Sequence, residues 1–91
     1  MKPIGQIIKE ELQRQERGIS WFARKLSCDR SNVYRVFDKE SIDTGMLLRI
    51  SVVLQHDFFA EYSNALRERI SSNQQESSNN LIINEETGEE N

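Results

Sequence analysis

Over the first 70 residues apolar positions recur at helical spacing, and residues that start or stop helices separate the runs. Ile4, Ile7, Ile8 and Leu12 form the first stripe, which places Glu10, Glu11, Arg14 and Arg17 on the water-facing side of the same helix. Pro3 suits the first turn of that helix, where a missing N–H costs nothing, and Gly18 is its expected stop. A second helix is read from about Ser20 to Leu26, a third from about Arg30 to Phe37 and a fourth from about Thr44 to Leu54. Asp29 and Asp43 stand just before the third and fourth, where a carboxylate accepts the free N–H groups of the first turn. Asp57 is the expected cap of a fifth helix, on which Phe59, Tyr62, Leu66 and Ile70 repeat at spacings of three, four and four. No segment reads as a strand. The pattern predicts an all-α fold, a compact bundle of about five short helices occupying residues 1–70 and followed by a tail, 71–91.

Between the second and third helices, Ser27, Cys28 and Asp29 break one helical register into another within three residues, so the two short helices meet at a tight turn. On the third helix Val33, Val36 and Phe37 mark the inward side. At about 100° per residue, Ser31 and Arg35 then lie opposite Val33, with Asn32 and Tyr34 on the flanks. A helix anchored by one side can enter a DNA groove with the other.

Phe22, Ala23, Leu26, Cys28, Val33 and Val36 fall where the lambda-repressor-like, Xre-type helix-turn-helix domains place their small and apolar positions, and this stretch resembles that family. The segment SIDTGMLLRISVVL resembles the family's next element, with a polar cap at Asp43 and apolar Leu47, Ile50 and Leu54. The resemblance covers roughly residues 4–62. It departs from the family at Ser27, where glycine is usual, and at Ser20, which lies closer to Ala23 than the usual cap does. It implies sequence-specific binding of double-stranded DNA by a small transcriptional regulator; a reducing cytoplasm is expected separately, from a single cysteine and the lack of an apolar run long enough for a membrane span or secretory signal. The alternative is a protein-binding adaptor or antitoxin-like module on the same scaffold, because a fold does not choose its function. The polar outer face of the third helix favours DNA, since a protein-binding groove exposes apolar surface.

Charge placement changes the first impression left by a net charge of −3. Glu76, Glu85, Glu86, Glu89 and Glu90 lie in the tail, which has no basic residue, so residues 1–70 carry +2. From Ser20 to Lys39 the balance is +3: Arg24, Lys25, Arg30, Arg35 and Lys39 against Asp29 and Asp38. Local cation placement of this kind is what phosphate attraction requires. The tail, rich in Ser, Asn, Gln and Glu, has too little apolar surface to order itself and is predicted to be disordered; its isolated Leu81–Ile83 run is at most a weak docking motif. Five tethered glutamates also raise the prospect of competition with phosphate for the domain's cations, against the plainer role of a solubilising extension.

The catalytic readings fail residue by residue. His56 is the only histidine and stands in an expected turn, which favours a solvated surface side chain over a general base. One cysteine excludes an internal disulfide, and one cysteine with one histidine excludes a zinc finger; Cys28 reads as a small packing residue. The glycines are scattered singly, so no phosphate-cradling loop is present, and no apolar run is long enough to span a membrane. The chain reads as a binding module and not an enzyme, with no cofactor, metal or small-molecule ligand expected. Arg24, Lys25 and Lys39 suit phosphate contacts, and Ser31, Asn32 and Arg35 groove contacts. Arg30 either reaches a base edge or phosphate, or pairs with Asp29. Tyr34 either stacks on sugar or a thymine methyl, or covers the core edge. Trp21 either clamps the core beside Phe22 or meets the DNA backbone. Because a lone helix-turn-helix reads few base pairs, a homodimer through Phe59, Tyr62, Leu66 and Ile70 is expected.

Overall fold

The computed structural model describes residues 1–77, with side chains through residue 72. Five helices follow in order: α1 (Ile4–Arg14), α2 (Ile19–Lys25), α3 (Arg30–Phe37), α4 (Thr44–Leu54) and α5 (Phe59–Ser77). No strand occurs among the described residues. The protein is all-α, as the spacing predicts, and the bounds of α3 and α4 are those read from their caps. Asp29 accepts the Asn32 N–H at 3.1 Å, and Asp43 accepts the Met46 N–H at 2.8 Å. None of the described helices is long and apolar enough to cross a membrane.

The chain divides into two units, Met1–Phe59 and a second beginning at Ala60. The first unit has one core, in which Ile4, Ile8, Leu12, Phe22, Val33, Leu47 and Ile50 are buried as their stripes require. Phe58, which no stripe marked, is fully buried with them. Burial of each such side chain contributes about 1.5–3 kcal/mol. In the second unit Tyr62, Leu66 and Ile70 are exposed, Leu66 to 58%. Phe59 belongs instead to the first unit, where it packs half-buried on the core. The unit boundary therefore cuts the apolar stripe of α5 after its first member. That helix also continues through Ser77, so residues 71–77, assigned to the tail by composition, are helical. The remainder of the acidic tail, with its Leu81–Ile83 run, lies outside the described residues.

Three helices end alike, and none of them on glycine. Glu16, Ser27 and Gln55 take left-handed backbone, with φ of 58°, 56° and 51°. After each, the next N–H reaches back to the carbonyl five residues earlier, the first of the closing motif: Arg17 to Leu12, Cys28 to Ala23 and His56 to Ser51, at 3.0–3.1 Å. Gly18 does not stop α1 as expected; it is the extended N-cap of α2, at φ −86°. Pro3 likewise precedes the first helical residue as the N-cap of α1.

With no side chain capping it, α1 satisfies its leading donors on another element. The Ile4 N–H donates to the Glu40 carbonyl at 3.1 Å and the Gly5 N–H to the Lys39 carbonyl at 3.0 Å. This approach needs Gly5, because a Cβ there would stand 2.2 Å from the Val36 carbonyl oxygen. Helix α3 is thus held at its C-terminal end by the start of α1.

The far end of α1 corrects a second expectation. Glu11 is not on a water-facing side: it is 8% exposed. Its carboxylate accepts from Arg14 Nε at 2.9 Å and from Gln15 Nε2 at 2.7 Å, and His56 Nδ1 lies 3.6 Å away. Gln15 also donates to the Leu54 carbonyl at 2.7 Å, which ties α1 to the end of α4. His56 is correspondingly half-buried, its ring 4.5 Å from that of Phe58, and is not the solvated surface histidine that its turn position suggests.

Candidate nucleic-acid interface

Helices α2 and α3 meet through Leu26–Asp29, and the left-handed Ser27 between them makes the turn tight enough for a helix-turn-helix. Ser27 thus adopts the conformation that would otherwise call for glycine. Cys28 is half-buried against the core, as a packing residue should be.

All eight candidate residues, Arg24, Lys25, Arg30, Ser31, Asn32, Tyr34, Arg35 and Lys39, are exposed, while Val33 and Val36 hold α3 from beneath. Arg24 and Lys25 form the last turn of α2, where cations complement the helix dipole. On α3 the polar side chains are engaged in hydrogen bonds within the chain. The Ser31 hydroxyl donates to Asp29 Oδ1 at 2.8 Å, and an Arg35 Nη1 N–H donates to Asn32 Oδ1. With the hydroxyl of Ser31 and the N–H of Asn32 both donating to it, the Asp29 carboxyl is held below its usual range. Asp29 is therefore an N-cap, and Arg30 makes no ion pair with it.

Tyr34 is 51% exposed and meets Phe37 edge-on, with ring centroids 6.2 Å apart, so its ring leans on the core edge while much of its surface stays wet. Trp21 is half-buried against the core, and the Arg17 guanidinium lies over its ring at 4.3 Å. That cation–π contact covers the indole and takes the side chain of Arg17 along the protein surface.

A cavity of about 370 Å³ opens between the α2–α3 turn, α3 and α4. Buried or half-buried Leu26, Cys28, Val36 and Met46 supply its apolar lining. Exposed Arg35, Lys39 and Arg49 supply its charge, and no carboxylate lines it. Arg49 Nη2 donates to the Leu26 carbonyl at 2.7 Å. Sequence reasoning missed Arg49 because it lies on α4, 10 residues past Lys39, and only the packing of α4 beside the turn brings the two to one cavity. The available signal was its place beside the Leu47 and Ile50 stripe, as the only charged residue of α4.

No protein-family model, curated protein sequence or solved structure matches the chain.

Proposed function

We propose that the chain binds double-stranded DNA as a small transcriptional regulator in the cytoplasm, with the helix from Arg30 to Phe37 entering the major groove in the manner of lambda-repressor-like domains. The observation that carries this reading is the outward face of α3. Apart from the Tyr34 ring it is polar and ordered by its own hydrogen bonds, and the cations Arg24, Lys25, Arg30, Arg35 and Lys39 surround it with few opposing carboxylates. Phosphates would meet Arg24, Lys25 and Lys39, fixing the register, while Asn32 and Arg35 would reach base edges. The Arg35–Asn32 pair orients two side chains able to make bidentate base contacts.

A pair of such domains reads more sequence than one. Tyr62, Leu66 and Ile70, exposed on α5, would supply the surface that joins two copies, without Phe59. Selection of bound duplexes from a random pool by the full chain tests both parts of the reading. The expected result is a short motif, repeated about one DNA turn, roughly 34 Å, apart. A single unrepeated half-site would reject the pairing. On the selected duplex, replacing Arg30 and Arg35 together by Ala should cost at least about 1 to 3 kcal/mol. Wild-type affinity in that double variant rejects entry of α3 into the groove.

A further inference from the structure

We propose that Arg49 is a phosphate-contacting residue, which holds one phosphodiester of the DNA backbone at the mouth of the cavity beside α3, next to the phosphate met by Lys39. The assignment rests on the DNA-binding reading above and adds to it a residue from α4, outside the helix-turn-helix.

Three observations converge on Arg49. Its guanidinium is anchored: the 2.7 Å bond to the Leu26 carbonyl uses one of its five N–H donors and places the cation at the C-terminal end of α2, where the helix dipole favours it. The long side chain is therefore ordered in the free protein, and less conformational entropy is lost on meeting an anion. Its charge is unanswered, since Arg49 makes no ion pair among the described residues and no Asp or Glu lines the cavity it shares with Arg35 and Lys39. The surroundings leave room for an anion, because a cavity of about 370 Å³ opens beside the guanidinium.

The cavity includes Asn32 and Arg35 from the outer half of α3, so a duplex engaged by that helix would carry its backbone past the opening. A phosphodiester offers two non-bridging oxygens that share one negative charge, and a guanidinium matches that geometry better than an ammonium does.

The test compares the full-chain wild type with R49Q and R49K on the selected duplex across a salt series. Loss of one phosphate contact should reduce the slope of log K against log salt by about 0.9 in R49Q. R49K keeps the charge and should keep most of the slope. A merely structural role for Arg49 would lower affinity without moving the slope, so an R49Q slope equal to that of wild type overturns the assignment while leaving the DNA reading intact. A wild type that selects no duplex overturns both. If R49Q melts below the assay temperature, neutral methylphosphonate linkages placed singly along the duplex replace it. One linkage should then cost wild type more affinity than it costs R49K, and equal costs at every linkage overturn the assignment.

Discussion

Two clusters of charged side chains lie on the first unit, and they differ in whether their charge is answered. At the end of α1, the buried Glu11 carboxylate is surrounded by Arg14, Gln15 and His56, and the cluster joins α1 to the end of α4. Beside α3, Arg35, Lys39 and Arg49 share a cavity that no carboxylate lines. A charge taken from water must be paired or it destabilises the fold, so the first cluster belongs to stability. Exposed cations have no such need, and these three make no ion pair among the described residues, which suits the proposed contact with a polyanion. Pairing, more than charge itself, separates the scaffold cluster from the proposed interface.

The sharpest way to break the comparison is at Gly5, where the scaffold meets the proposed interface, because its N–H donates to the carbonyl of Lys39. In Gly5→Ala the new Cβ would press on the Val36 and Phe37 carbonyls at 2.2 and 2.5 Å, so α1 and α3 must separate. A loss of about 3 kcal/mol in denaturant unfolding is expected. A variant as stable as wild type would show that α3 is not held by α1.

Next in size is Glu11→Gln. Arg14 above all, with Gln15 and His56, holds the Glu11 carboxyl at about 2 against an ordinary 4.5. A carboxyl depressed in the folded state contributes its stability above pH 4.5 and loses it as pH falls through about 2. Linkage sets an upper bound of about 3 kcal/mol, and solvent around Arg14, 70% exposed, screens this to about 2. Unfolding midpoints followed from pH 7 to pH 2 should show wild type above the variant at neutral pH and the gap closing in acid. DNA affinity of the folded variant at pH 7 should not change. A gap independent of pH, or a fall in DNA affinity without loss of fold, would break the division between the two clusters.

The smallest effect sharpens the comparison at the turn itself. Ser27 holds left-handed backbone that costs an L-residue about 1–2 kcal/mol, less the entropy that glycine loses on folding. Ser27→Gly should therefore raise stability by about 0.5–1 kcal/mol in thermal unfolding. A lower melting temperature would mean that the Ser27 side chain contributes more than its backbone strain removes.

What could be read in advance was whatever depends on neighbours in the chain. The caps at Asp29 and Asp43 act over three residues, so they define the starts of α3 and α4 without help from the fold. The buried faces follow from periodicity, which is why Ile4, Ile8, Leu12, Val33, Leu47 and Ile50 were legible as core and the outward set on α3 as polar. Helix ends were less legible, because Glu16, Ser27 and Gln55 take a conformation that their residue types disfavour and that the hydrogen-bonded ends of α1, α2 and α4 stabilise.

The sequence by itself determined the helical class, the main buried stripes and a cation-rich second and third helix, since propensity, capping and periodicity are local properties. Tertiary structure alone decided that Gly5 is a docking point, that Glu11 is buried with His56, that Phe58 joins the core, and that Arg49 shares a cavity with Arg35 and Lys39. Each of these joins residues far apart in the chain, and the meeting is set by how the helices cross, which no single helix encodes.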